Sequence, residues 1–138
     1  MPELIRMGGV ELLFLQSRET GSSLDLFEMM LQPKARMPVP HHHESWDEAV
    51  YGLAGTTTYR VGHETVELLP GASLFIGRGV VHGFDNRSDA TAKSLIVLTP
   101  GVPGPAYFRE VAALAAAGAP DPARMKEIMR RYGLVPAP

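Results

Sequence analysis

The chain contains no cysteine. Disulfide bonds, thiolate metal sites and a cysteine nucleophile are therefore excluded. A protein without disulfides is compatible with a reducing compartment, and we expect a cytoplasmic location.

An excess of charge of either sign is also missing. The chain has 13 Lys and Arg residues against 15 Asp and Glu residues, and its formal net charge is −2. Such a chain has no basic field that would attract nucleic acid or an anionic membrane surface. We therefore expect neither nucleic acid nor a membrane as a partner.

Long hydrophobic runs are absent as well. No apolar stretch approaches the roughly 20 residues that cross a bilayer, and the first residues, MPELIR, lack the pattern of a signal peptide. The 138 residues are 45% hydrophobic, which predicts a single domain over residues 1–138 with one core. We expect a barrel at about residues 10–100 and a helical tail at about residues 105–133.

The first hundred residues alternate between short runs of β-forming residues and turn residues. The predicted strands are Val10–Gln16, Ser23–Gln32, Glu48–Leu53, Thr56–Val61, Thr65–Leu69, Ala72–Ile76, Val80–Phe84 and Lys93–Thr99. Many short strands without intervening helices favour a sandwich or barrel over a parallel α/β sheet.

The tail has the residues that begin and end helices. Gly118 suits the cap of a helix over Ala106–Ala117, and Asp121 suits the N-cap of a second helix that ends near Tyr132, with Gly133 after it. Neither helix has an apolar face wide enough for a core of its own. We therefore expect both helices to cover the outside of the barrel or a subunit contact.

Residues 41–48 read HHHESWDE and concentrate side chains that bind metals. On an extended strand His41 and His43 point to one face, while His42 points to the other. Glu48 opens the next apolar strand, where a carboxylate would normally be excluded from the interior. Imidazole nitrogens and a carboxylate oxygen suit Mn, Fe, Co, Ni, Cu or Zn. For this segment alone, the alternative is a solvated polar loop.

A second segment has the form Gly71-x5-Gly77-x-Gly79-x2-His82-x3-Asn86. It places a lone histidine within an apolar run. Taken alone, His82 fits a hydrogen-bonded core histidine.

Together the two segments resemble the paired motifs of the cupin superfamily. The first motif, Gly-x5-His-x-His-x(3,4)-Glu-x6-Gly, and the second, Gly-x5-Pro-x-Gly-x2-His-x3-Asn, are matched at His41, His43, Glu48, Gly55, Gly71, Gly79, His82 and Asn86. Ala35 replaces the opening glycine of the first motif and Gly77 the proline of the second. Both are backbone-geometry positions, so the ligand set is intact. The resemblance covers roughly residues 30–100.

This resemblance implies an all-β fold, the double-stranded β-helix or jelly roll of the cupin barrel, followed by the two α-helices. It also implies one divalent transition metal (Fe, Mn, Ni, Co, Cu or Zn) held by His41, His43, Glu48 and His82, with the chemistry at the metal. The catalytic residues beyond the metal site are unknown. Small cupins of this kind are often homodimers, which is the assembly we expect.

The tail resembles that of small bacterial cupins related to quercetin-dioxygenase-like proteins. The matching residues are Thr99-Pro100-Gly101, Tyr107-Phe108-Arg109-Glu110 and Arg131-Tyr132-Gly133. The leading expectation is a dioxygenase or other oxidoreductase that acts on a small organic molecule. The alternatives are a metal-dependent isomerase or decarboxylase and a non-catalytic metabolite-binding cupin.

Other side chains are candidates for a substrate pocket. Trp46 lies between the proposed ligands, where it would stack on a substrate or seal the rim of the barrel. Met37, Phe75 and Phe84 are candidates for the pocket wall, with ordinary core packing as the alternative. Asn86 is expected to stabilise a turn.

Glu44 and Asp47 flank Trp46. Each carboxylate would either accept a hydrogen bond from a ligating histidine or be solvated in a loop, and we expect the solvated loop.

Overall fold

The computed structural model describes residues 2–36, 39–118 and 121–138. Its strands are β1 (Glu3–Met7), β2 (Val10–Gln16), β3 (Asp25–Leu31), β4 (His41–His43), β5 (Asp47–Ala54), β6 (Thr57–Val61), β7 (Glu64–Leu68), β8 (Ser73–Ile76), β9 (His82–Asp85), β10 (Ala92–Thr99) and β11 (Leu134–Pro136). Its helices are α1 (Gly104–Ala116), α2 (Pro122–Arg131) and a 3₁₀ turn at Arg18–Thr20.

The strands form two sheets in which neighbours run antiparallel. The six-stranded sheet has the order β1-β2-β3-β10-β5-β8, and the five-stranded sheet has the order β11-β4-β9-β6-β7. Side chains that alternate along each strand fill the space between the sheets; on β3, Phe27 and Met29 are buried while Leu26 and Glu28 are partly exposed. The predicted jelly roll is confirmed.

The strand boundaries agree with the predicted runs to within a few residues. β2 coincides with its prediction, whereas the strand predicted over Val80–Phe84 begins at His82. The shift arises because Val80 donates its N–H to Gly77 in a turn. Strands β1, β4 and β11 lie outside the predicted runs.

Helix α2 begins and ends as its cap residues predict. The Asp121 carboxylate accepts the backbone N–H of Ala123 at 3.0 Å, and Pro122 occupies the first turn. Gly133 follows the C-cap with φ of +87°, a conformation that favours glycine. Within the described ranges, no helix is both long enough and apolar enough to cross a membrane.

The two helices were expected to cover the outside of the barrel or a subunit contact. In the structure, both helices also bury side chains in the interior of the barrel. The Phe108 ring of α1 packs against Phe14 and Phe27 of the six-stranded sheet, with ring centroids 5.6 Å apart in each case. Ile128 and Met129 of α2 are buried. The helices bury their apolar faces against the interior of the barrel because the inner faces of its strands are also apolar.

Asn86 stabilises the turn after β9, as predicted. Its side-chain amide donates to the carbonyl oxygens of Leu31, Gln32 and Ala90 at 3.2, 3.2 and 2.7 Å. Its side-chain oxygen accepts from the N–H and hydroxyl of Ser88. One buried side chain thereby joins the end of β3 to the β9–β10 connection.

Candidate metal centre

His41 and His43 project from β4 into the space between the sheets. Both are buried, and His42 between them is half-buried on the opposite face, as the alternation of a strand requires. His82 opens β9 and is the register partner of His41. Because directly opposed residues of an antiparallel pair share a face, the three rings meet on the inner side of the sheet.

The three imidazoles form a compact donor cluster. The Nε2 atoms of His41 and His43 are 3.2 Å apart, and one donor atom from each of the three histidines lies within 4.8 Å of the others. Nitrogen donors lie about 2.0 to 2.1 Å from a bound divalent metal such as zinc. The cluster is therefore close enough to bind a single ion.

Backbone carbonyls determine which ring nitrogen faces the cluster. Nδ1 of His41 lies 3.0 Å from the Val39 oxygen, and Nδ1 of His82 lies 2.9 Å from the Val80 oxygen. A carbonyl oxygen only accepts, so in the neutral ring each Nδ1 carries the proton and Nε2 keeps its lone pair. Metal-binding histidines are commonly oriented by this kind of contact.

Burial keeps these rings neutral near pH 7. Burial first, and then the neighbouring histidines, together lower the pKa of His41 to about 4 and that of His43 to about 2. The pKa of His82 is also lowered, again mainly by burial. Neutral imidazole is the form that binds metals, so the cluster is in its binding form at neutral pH.

Glu48 reaches the cluster from β5 in the facing sheet. Its Oε1 atom lies 3.7 Å from Nε2 of His82 and 4.0 Å from Nε2 of His43. Both separations are below about 4.2 Å, twice a metal–ligand bond. Burial raises the pKa of Glu48 to about 7, and a cation beside it would favour the ionised form. The three histidines therefore fit a divalent transition metal, and the Glu48 carboxylate lies beside two of them.

The cluster lies at the wall of a cavity of about 370 Å³. Besides the four donor residues, its lining is mostly apolar and includes Met7, Leu12, Phe27, Met29, Val39, Trp46, Phe84, Ile96, Leu98, Tyr107, Phe108, Val111, Met125, Met129 and Leu134. Arg36, which is exposed, brings a cationic side chain to this lining. A small ligand in the cavity would contact apolar side chains and the histidine cluster together.

The structure confirms some of the candidate pocket residues and not others. Trp46 and Phe84 line the cavity, and Trp46 is fully buried, stacked on His43 with the rings 4.5 Å apart. The prediction that Phe75 lines the pocket was wrong. Phe75 is 66% exposed and absent from the lining, because it points outward from β8. Met37 lies outside the described residues.

The two carboxylates flanking Trp46 have different surroundings, and Asp47 is the first residue of β5. Asp47 accepts from the backbone N–H and guanidinium of Arg78 at 2.9 to 3.2 Å. Glu44 is exposed.

Several cavity residues were not predicted from the sequence. Tyr107, Phe108 and Val111 come from α1, and Met125 and Met129 from α2. The sequence predicts only a narrow apolar face on each helix. Local sequence did not indicate that these faces contact the cavity.

The sequence of the chain also matches a known protein family. The family model for the cupin domain matches residues 27–98. The chain is a cupin. The match includes all four donor residues, and it ends within β10, before α1, α2 and β11.

Known proteins similar to this cupin differ in what their names describe. The tetracenomycin polyketide synthase protein TcmJ of Streptomyces glaucescens is 26% identical over 100 residues, which are 72% of this chain and 67% of that protein. A solved structure described as a sugar phosphate isomerase from Silicibacter pomeroyi is 29% identical with a TM-score of 0.60. The match covers 67% of this chain and 60% of that one.

A third similar protein is described as a predicted oxalate decarboxylase from Thermotoga maritima. It is 26% identical with a TM-score of 0.63, over 72% of this chain and 92% of that one. These three descriptions name different chemistries, as expected for a fold that hosts many functions.

Proposed function

We propose that this cupin is a metal-dependent enzyme that acts on a small, mainly apolar organic molecule. The observation that carries the proposal is the position of the three buried histidines, which lie at the wall of an apolar cavity of about 370 Å³. A cavity of this size suits a ligand of drug-like dimensions.

In this proposal His41, His43, His82 and Glu48 hold one divalent transition metal. Once bound, the ion would act as a Lewis acid or a redox centre. The chain's own residues orient the three rings and keep them neutral. The apolar wall, including Trp46, holds the substrate against the cluster and excludes water.

The lining favours an apolar substrate over a sugar phosphate. A phosphate group is usually held by several cationic or backbone N–H donors. The described lining contributes a single cationic side chain, Arg36. The relative named as a tetracenomycin polyketide synthase protein supports a polyketide as the substrate class.

For the reaction, we propose oxygen-dependent oxidation, as in a dioxygenase. The metal-dependent isomerase or decarboxylase is the alternative, and the names of two similar structures support it. A non-catalytic metabolite-binding cupin is supported by a different observation. In the described lining, Glu48 is the one carboxylate, so a separate general acid or base of that type is missing.

The proposal is tested on protein purified without a histidine tag. Metal content is measured first, and oxygen uptake is then followed with flavonols, diketones, thiols and polycyclic phenols. We expect bound metal and oxygen consumption with an aromatic substrate. Metal without turnover would favour the binding protein, and product formation without oxygen uptake would favour the isomerase or decarboxylase.

A matched pair of variants tests the site itself. His82→Ala removes a buried donor, and metal binding should weaken at least roughly tenfold. His63→Ala is the control because His63 is exposed in the β6–β7 turn. Absence of metal from the wild-type protein, before and after reconstitution, would contradict the proposed function.

A further inference from the structure

The strand that carries His41 and His43 is held mainly by the C-terminal strand. β4 has three register pairs with β11, namely Leu134↔His43, Val135↔His42 and Pro136↔His41. On its other side it has one register pair with β9, His41↔His82. Strand β11 lies beyond the residues matched by the cupin family model.

Backbone hydrogen bonds extend this contact at both ends. The N–H of Glu44 donates to the Gly133 oxygen at 3.0 Å, and the N–H of Ala137 donates to the Pro40 oxygen at 2.8 Å. The segment from Pro40 to Glu44 is therefore bonded to the C-terminal segment along its whole length.

A side-chain contact continues from this ladder to His43. Trp46 is fully buried and stacks on the His43 ring with an interplanar angle of 19°. A Cβ atom at Gly133 would lie 3.2 Å from Cζ3 of the Trp46 ring. The backbone at Gly133 therefore lies against the indole that stacks on His43.

Gly133 meets two separate requirements at this position. Its φ of +87° is a conformation that residues with a Cβ rarely adopt. Its missing Cβ also leaves the space that the indole occupies. A substitution there both strains the backbone and displaces Trp46.

We propose that the C-terminal strand, through Gly133 and Trp46, positions His43 for metal binding. Gly133 and Trp46 are positioning residues because neither is among the four proposed ligands. The inference rests on the proposed function, since it requires that the cluster binds a metal. Its physical reason is that groups which orient a ligand commonly alter metal affinity about 10- to 100-fold.

The experiment compares two glycine substitutions with similar backbone strain. Gly71 has φ of +84°, and no atom lies within 4 Å of the position that a Cβ would take there, so Gly71→Ala is the matched control for Gly133→Ala. Both variants should lower the urea midpoint. Gly133→Ala should also weaken Co²⁺ binding about tenfold and change the visible spectrum of the bound Co²⁺, whereas Gly71→Ala should leave both unchanged.

A second variant makes the test independent of strain at Gly133. Trp46→Phe removes the indole atoms that face Gly133 and should itself weaken Co²⁺ binding several-fold. In the Trp46→Phe background, Gly133→Ala should no longer weaken binding more than Gly71→Ala does, because the contact is already lost. If Gly133→Ala does not fold, the affinity and Co²⁺ spectrum of Trp46→Phe decide the question.

The outcomes separate this inference from the proposed function. Wild-type protein that takes up no Co²⁺ overturns both. Wild-type protein that binds Co²⁺ while Gly133→Ala and Trp46→Phe bind it with unchanged affinity and spectrum overturns the positioning role alone.

Discussion

Asn86 is a single buried residue that connects two segments of the fold by hydrogen bonds. Its side-chain amide donates hydrogen bonds to three backbone carbonyls on two segments that are far apart in sequence. Its own oxygen is bonded to Ser88. Removal of the side chain takes the donor from the buried Leu31 carbonyl and from the partly buried carbonyls of Gln32 and Ala90.

We therefore expect Asn86→Ala to lower the free energy of unfolding by about 1 to 3 kcal/mol, because one buried and two partly buried carbonyl groups lose their donor. Urea denaturation followed by circular dichroism measures this. Gln32→Ala is a suitable control because Gln32 is exposed and its carbonyl, which Asn86 contacts, is retained. Equal losses for the two variants would contradict this role of the Asn86 amide.

At the scale of elements, α2 is a wall of the site as well as a cover. Met125 and Met129 line the cavity, and both lie beyond the residues matched by the cupin family model. The part of the pocket that differs most between cupins is therefore expected to include this helix. Loops and terminal segments commonly carry specificity on a shared scaffold.

Met125→Ala should weaken the binding of an apolar aromatic probe such as 1-naphthol about fivefold, because it removes about 1 kcal/mol of apolar contact. Trp46 is the single tryptophan of the chain and lines the same cavity, so its fluorescence reports binding. Met30→Ala is the control because Met30 is also half-buried but does not line the cavity. An equal effect of both substitutions would contradict the wall role of α2.

For the whole molecule, the outer face of the six-stranded sheet is the candidate subunit contact. Leu95 of β10 is the register partner of Tyr51 on β5 and of Glu28 on β3, and Glu28 is in turn the partner of Leu13 on β2. Tyr51 is 47% exposed on this face. Apolar side chains that are partly exposed on an outer sheet face suit a contact with another chain.

We predict that a second copy of the chain covers this face and forms the homodimer. Tyr51→Glu should shift the protein to a monomer in analytical ultracentrifugation, because it would bury a charge in the contact. Val81→Glu is the control because Val81 is 38% exposed in the turn before β9 of the other sheet. Wild-type protein that is monomeric at high micromolar concentration would contradict the prediction.

The amino-acid sequence was sufficient for the jelly roll and for His41, His43 and His82 as a group. Alternation along a strand places His41 and His43 on one face regardless of what surrounds them, and the spacing of the two motifs identifies His82. The caps of α2 were also predictable, because Asp121 and Gly133 act through local backbone geometry.

Only the tertiary structure decided what surrounds the cluster. The exposure of Phe75 depends on which side of the sheet faces the core, and a shift of one residue reverses it. The pairing of β11 with β4 joins residues some ninety positions apart, and no local pattern in the three residues of β11 specifies that partner. The ligands follow from local spacing, whereas the cavity wall and the support behind His43 depend on contacts between distant segments.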